Sequence, residues 1–339
     1  MRLIKTEDAV GHVLCHDMTQ IIKDQYKDAR FRKGHVVTEE DIPVLLSMGK
    51  EHLYVWEMTS GMVHENDAAE RLLALCGQEN MIRSGVKEGK IELKAACDGV
   101  FLVDSARLVA VNSQDEVMIA TRKGGMAVRE GDKLAGMRVI PLIIEEEKLR
   151  KAEQAAGDKP LLSLKPYVRK TACIVATGGE VKKGLIKDTF TPVVIDKLKT
   201  YGIETIEVVY SGDGVENVRD AVLTMREKKP DMILCTGGMS VDPDDNTPGG
   251  IKAAGANIIA YGAPVLPGAM FLLGYFDDGM PVMGLPGCVM YAGATVFDLV
   301  LPKIAADVPV TRADLAALGE GGLCLGCKPC HYPICPFGK

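Results

Sequence analysis

In the stretch PDMILCTGGMSVDPDDNTPGGI, Pro230 to Ile251, an apolar run breaks at a glycine pair, crosses an acidic loop and meets Thr247-Pro248. The run from Met232 reads as a strand, and Gly237-Gly238 as its turn. Thr247 then fits a helix N-cap and Pro248 the first helical position. Strand, turn and helix in that order form half of a βα unit.

The same grammar repeats upstream. TACIVATG (171–178) reads as a strand, FTPVVIDKLKTYG (190–202) as a helix, ETIEVVYS (204–211) as a strand and GVENVRDAVLTMREKK (214–229) as a helix. Strands separated by single helices imply parallel crossovers, hence an α/β layer. Ligands of such sheets sit at the carboxyl ends of the strands, where Gly178-Gly179 and Gly237-Gly238 both fall.

The N-terminal half has another texture. A capping pair, Thr38 and Asp41, opens a helix that Gly49 closes, and ENDAAERLLALCG (65–77) spaces Ala69, Leu72, Leu73 and Cys76 at helical intervals. Between residues 87 and 144 the runs GVFLVD, RLVAVN, EVMIATR and MRVIPLII read as short strands of a small β-subdomain. The charged segment from Glu145 to Pro160 reads as a connecting helix or linker. Trp56 reads as strand-end packing. The expected organisation is an α+β region with the β-subdomain over 1–165, an α/β domain over 166–306 and a cysteine-rich tail over 307–339.

Composition narrows the partners. The chain has 339 residues, enough for two domains with their own cores, and a formal charge of −6, which argues against a nucleic-acid backbone as main partner. No run of 18 or more apolar residues and no leader-like apolar segment is present, so no membrane partner is expected. Cysteines from Cys15 to Cys288 are scattered among apolar residues, as in the reducing cytoplasm, the expected location.

Two loops carry the chemistry. In TGGEVKKGLIKDTFTP, Thr177-Gly178-Gly179 allow close backbone approach, Lys182, Lys183 and Lys187 supply positive charge, and Asp188 stands at a helix start. The plainer reading makes Asp188 a helix cap and the lysines a solvated face. In the second loop, Thr236, Gly237, Gly238 and the helix start at Thr247 offer an anion cradle. Asp242, Asp244 and Asp245 repel one another unless a cation or a donor-rich ligand sits among them. The plainer reading there is a solvated acidic turn.

On these motifs the segment from about Lys170 to Ile304 resembles the molybdopterin-binding domain. That domain is shared by Mog-type adenylyltransferases, molybdopterin molybdenumtransferases with gephyrin, and competence-damage-inducible proteins. TGGEVKKGLIKD is similar to the first ligand loop, placing one functional aspartate on Asp188 with Glu180 and Lys187 as neighbours. TGGMSVDPDDNTPGGI is similar to the second, placing another on Asp245 beside Ser240 and Asp244. GLPGCVMYAGATVFDLVLP is similar to the molybdenumtransferase segment GLPGNPVS and aligns Pro286 and Gly287. TEDAVGHVLCHDMT and RFRKGHVVTEEDIPVLLSMGKEHLYV resemble the molybdenumtransferase opening, so that branch is the expected nearest kin.

The resemblance implies a three-layer, doubly wound, mostly parallel sheet and a ligand with a terminal phosphate, a pterin and a dithiolene. It also implies Mg2+ at Asp188 or Asp245 for nucleotide chemistry, and a homo-oligomer. Two departures bear on activity: Cys288-Val289 stands where the pattern has Asn-Pro, and LPGAM (266–270) replaces a lysine-bearing KPGKP.

The tail GLCLGCKPCHYPICPFGK sets Cys324, Cys327, Cys330 and Cys335 at C-x2-C-x2-C-x4-C, with His331 inside the run. Four close thiolates suit Zn2+ or an iron–sulfur cluster, and Pro336 matches the proline that follows the last cysteine of bacterial ferredoxins, whose spacing is one residue shorter. Free thiols or disulfides in a frayed tail are the alternative.

Three readings of function follow. The chain is an enzyme of molybdenum cofactor biosynthesis that transfers metal or nucleotide to bound molybdopterin. Alternatively it is a non-catalytic carrier or sensor whose tail docks on a molybdenum enzyme. The third reading is a nucleotide pyrophosphatase of the competence-damage-inducible type.

Overall fold

The computed structural model describes residues 2–22, 26–55, 61–242 and 245–339, so Trp56 and Asp244 lie outside the described residues. The chain forms two compact units: residues 1–96, 103–124 and 130–163, then residues 97–102, 125–129 and 164–339. The tail belongs to the second unit instead of standing apart as a third.

In the first unit, strands Arg2–Lys5 and His52–Val55 pair antiparallel, as do Met18–Ile22 and Tyr26–Phe31. The helix Asp41–Ser47 completes this part around Leu14, Phe31, Leu45 and Leu53. Its entry is the expected capping pair, with the Thr38 amide and hydroxyl each donating to Asp41 Oδ2 at 2.8 Å. Beyond it, Met81–Arg83, Ile91–Ala95, Lys133–Val139 and Val117–Thr121 form a four-stranded antiparallel sheet in that order. Helices Glu65–Leu75 and Glu146–Ala156 accompany this β-subdomain.

One run was misread from sequence. RLVAVN is not a strand; it lies in the helix Ser105–Asn112. Asp104 caps that helix by accepting from the Arg107 amide at 3.0 Å, and its other oxygen accepts from Arg107 Nε at 2.8 Å. A cap of this kind is worth about 1 kcal/mol, as much as the whole span of strand propensities.

The second unit is built on six strands: β1 (Thr171–Thr177), β2 (Glu204–Ser211), β3 (Met232–Thr236), β4 (Asn257–Tyr261), β5 (Leu272–Tyr275) and β6 (Pro281–Leu285). Their order is β2-β1-β3-β6-β5-β4. The first four in that order run parallel, and β5 is antiparallel to both neighbours. The mostly parallel sheet is as expected.

Alternation along each strand feeds two cores. Ala172, Ile174, Met232 and Leu234 pack on one face with Val194 and Leu198 of helix α1 (Phe190–Lys199) and Phe297 and Val300 of helix α4 (Val296–Ala305). Cys173, Val175, Ile233 and Cys235 pack on the other with Val218 and Val222 of helix α2 (Val215–Glu227) and Ile251 of helix α3 (Thr247–Ala253). Helices on both faces make the three layers. Each fully buried Ile, Val or Leu contributes roughly 1.5–3 kcal/mol over its exposed state, which fixes the register of the central strands.

Among the described residues, no helix is long and apolar enough to cross a membrane.

Candidate functional site at the carboxyl edge of the sheet

Parallel strands β2, β1, β3 and β6 end side by side: Thr177 pairs with Ser211, Ala176 with Thr236, and Thr236 with Leu285. Each then turns through small residues. The loops begin at Gly178-Gly179, Gly212-Asp213-Gly214, Gly237-Gly238 and Pro286-Gly287, so the sheet brings both glycine pairs to one edge.

Threonine hydroxyls lock the centre. Thr177 Oγ1 donates to the Thr236 carbonyl at 2.9 Å and stands 3.1 Å from Thr247 Oγ1, which donates to the Gly237 carbonyl at 2.8 Å. The Thr247 amide donates to the Gly238 carbonyl at 3.1 Å. Gly237 and Gly238 have φ of +81° and +58°, the left-handed region that glycine enters without strain. A Cβ on Gly237 would strike the Thr177 carbonyl oxygen, and one on Gly238 would come within 2.7 Å of Thr247 Oγ1. The turn is therefore closed to any other residue.

This geometry corrects the sequence reading of Thr247. Its side chain is fully buried and its amide is spent within the loop, so it holds the turn together and does not present itself to a ligand.

The first loop contains an unexpected anion. Asp213, from the loop after β2, places Oδ2 3.0 Å from the Gly179 amide, which donates to it. The Gly179 amide is therefore already paired with a carboxylate. The chain then makes a short helical turn, Gly179–Lys182, and runs exposed through Glu180, Lys182, Lys183 and Lys187.

Asp188 is a cap, as the plainer reading held, and something more. Its Oδ1 accepts from the amides of Phe190 at 2.9 Å and Thr191 at 3.0 Å, opening α1. Its Oδ2 is buried beside the Thr191 hydroxyl and Tyr210 yet makes no hydrogen bond of normal geometry. Burial alone would raise the carboxyl pKa, but the donors at Thr191, Phe190 and Tyr210 outweigh it and hold the pKa below the ordinary value.

Asp245 is also used internally. Its Oδ2 accepts from the Ser240 amide at 2.9 Å, while its own amide donates to the Asp242 carbonyl at 2.9 Å, so the acidic loop closes on itself. Tyr261, from β4, braces the same loop by donating to the Met239 carbonyl at 2.9 Å. Its phenol pKa is raised by burial and by the Asp245 charge. Ser240 is exposed, Pro286 buried and Gly287 exposed. Thr189, next to Asp188, donates to Met290 Sδ at 3.1 Å, linking the Asp188 loop to the segment after Pro286-Gly287.

Among the described residues, no group of three His, Cys, Asp or Glu side chains is gathered to hold a metal ion. That applies to Asp188 and Asp245 and to Cys324, Cys327, Cys330 and Cys335, all of which are free thiols. The tail is nonetheless not frayed. Leu266 donates its amide to the Gly322 carbonyl and accepts from the Cys324 amide, both at 2.8 Å, and Phe337 is buried in the domain core.

Residues 173–306 match the family model described as "Probable molybdopterin binding domain", which bears out the resemblance over that segment. Residues 3–57 match a domain of unknown function (DUF8806). A CinA-like protein of Mycobacterium tuberculosis is 33% identical over 76 residues, 22% of this chain and 18% of that protein. The chain thus matches less than a fifth of the length of such relatives. Among solved structures, the molybdopterin biosynthesis enzyme MoaB from Thermus thermophilus is 16% identical with a TM-score of 0.36, covering 42% of this chain and 98% of that one. The protein CinA from Thermoplasma acidophilum is 18% identical with a TM-score of 0.34, covering 40% and 98%.

Proposed function

We propose that the carboxyl edge of the sheet binds molybdopterin or the molybdenum cofactor and that the chain acts in molybdenum cofactor biosynthesis, transferring metal or nucleotide to the bound pterin. The observation that carries this is the Gly237-Gly238 turn, locked by two threonine hydroxyls at the carboxyl edge of the sheet, with the Asp188 carboxylate held ionised on the same edge. The match of residues 173–306 to a molybdopterin-binding family model supports it.

In this reading the amides of Gly237 and Gly238, with that of Gly179, take the terminal phosphate, and Lys187 adds charge, while the Gly178 amide stays on the Ser211 carbonyl at 3.2 Å. Phosphate at Gly179 requires Asp213 to give up that amide. Asp188 and Asp245 accept from the pterin ring. Mg2+ held by either carboxylate would neutralise charge on a phosphoryl group under attack. Close kinship to the molybdenumtransferases and a homo-oligomeric state belong to the same proposal.

A second reading, a carrier that binds without turnover, is favoured by Asp213 on the Gly179 amide and by Cys288-Val289 in place of Asn-Pro. Under it, a molybdenum enzyme is the docking partner. The CinA-like stretch favours a nucleotide pyrophosphatase instead.

One set of measurements separates the three. Titration calorimetry of the full chain with molybdopterin should show tight binding, weakened about tenfold or more by Asp188→Asn, a loss of at least 1.4 kcal/mol. Transfer to the pterin, dependent on Mg-ATP or molybdate, marks the enzyme; binding without it marks the carrier. Hydrolysis of ADP-ribose with no pterin binding would overturn both. In the tail, Cys324, Cys327, Cys330 and Cys335 are proposed to hold an iron–sulfur cluster or Zn2+.

A further inference from the structure

The four tail cysteines line one cavity. Its volume is about 430 Å3, and its lining includes Tyr291, Ala292, Gly293 and Ala294, the loop that leads into α4. Cys324 and Cys335 are half-buried and pack against the domain core together with Tyr332, while Cys327 and Cys330 are exposed. Protein interiors are close-packed, with few voids larger than a water molecule. This pocket opens to the surface, and it gathers all four thiols of a segment without helix or strand along its walls.

What holds the walls is specific. Tyr332 donates its hydroxyl to the Asp298 carbonyl at 3.0 Å and meets Phe337 edge-on, with ring centroids 6.1 Å apart. Cys330 lies so close to Gly293 that a Cβ there would stand 2.8 Å from its Sγ and 2.9 Å from its Cβ. Glycine at 293 is what lets Cys330 face the cavity.

A single zinc ion with bonds of ~2.3 Å and tetrahedral angles draws its sulfurs to about 3.8 Å from one another. All four thiols line one space, although among the described residues no three ligand side chains are already gathered around a metal ion. A polynuclear cluster is several ångströms across and needs its ligands spread around it. The C-x2-C-x2-C spacing of Cys324, Cys327 and Cys330 is that of three cluster ligands in bacterial ferredoxins, whose fourth Cys serves a second cluster; here it is the shared cavity that places Cys335 with the other three.

We infer that Cys324, Cys327, Cys330 and Cys335 together ligate one iron–sulfur cluster of the four-iron type, seated in this cavity against Gly293. The inference does not rest on the pterin reading, because its ligands and its wall lie outside the two glycine loops.

The test uses the full chain, reconstituted anaerobically with ferrous iron and sulfide and then desalted. The expected result is about four irons and four acid-labile sulfides per chain, with a visible absorption that dithionite bleaches and a paramagnetic signal in the reduced state. Cys327→Ala and Cys330→Ala, both at exposed positions, should lower iron and sulfide at least tenfold while the melting temperature of the α/β domain holds. Gly293→Ala should lower them several-fold by displacing Cys330. One zinc per chain without sulfide, four titratable thiols after reconstitution, or full cluster in both cysteine variants would each overturn it.

Discussion

The sheet edge and the tail solve opposite problems. At the edge, polar groups are largely consumed by one another: Thr177 and Thr247 lock the glycine turn, Asp213 takes the Gly179 amide, and Asp245 closes its own loop. In the tail, the four thiols have no protein partner in a disulfide. The edge spends its polar groups on its own framework, and the tail keeps four thiols to spare for the proposed cluster. Preorganisation lowers the ordering cost of binding at the edge, whereas the proposed cluster would add stability to a tail already docked through Tyr332 and Phe337.

The contrast breaks hardest at Gly237. Gly237→Ala forces a left-handed backbone on a side chain that strikes Thr177, and should cost roughly 2–5 kcal/mol from strain and overpacking together. Denaturant unfolding of the purified chain reads this as a lower midpoint with an unchanged slope. Thr247→Val keeps the shape and removes the hydroxyl, leaving the Gly237 carbonyl without that donor, for a loss of about 1–3 kcal/mol in the same assay.

The tail should respond to metal where the edge does not. Hydrogen exchange of residues 320–339 is expected to slow by about tenfold or more on cluster reconstitution, while amides of residues 177–179 and 236–240 hold constant. Equal slowing of both would erase the distinction drawn here.

The smallest effect tests Asp188 as cap and as ligand separately. Asp188→Ala should cost about 1 kcal/mol of stability and Asp188→Asn only a few tenths, because asparagine still accepts from the Phe190 and Thr191 amides. Since the Asp188 pKa is depressed in the folded chain, its contribution is fully present above the ordinary Asp value near ~3.9. It is lost as pH falls through the folded value. Melting curves of wild type and Asp188→Asn should therefore converge below that pH and diverge above it.

The βα alternation was legible because the central strands β1, β3 and β6 are apolar on both faces and the turns after β1 and β3 carry glycine pairs. Both loops could be placed on one edge from sequence for the same reason. Asp213 could not: SGDG reads as an ordinary turn, and its bond to Gly179 spans 34 residues across parallel strands. Thr247 was identified as a helix start, but its burial depends on Thr177, 70 residues away. RLVAVN failed because apolar content was weighed above the Asp104 cap. In the tail the cysteine spacing was plain, while the wall formed by Tyr291 to Ala294 comes from a distant loop with no cysteine in it.

The ten residues from Pro286 to Thr295 serve two masters. Pro286-Gly287 end β6 at the sheet edge, Met290 receives Thr189 from the Asp188 loop, and Tyr291 to Ala294 wall the cysteine cavity. Between Gly287 and Tyr291 lie on the order of 8 Å of chain at the ~2.0 Å rise of a 3₁₀ turn. A push at either end has little slack in which to dissipate. Any influence of a filled cavity on edge affinity must be returned in equal measure by an edge ligand on cavity affinity, since such coupling is reciprocal.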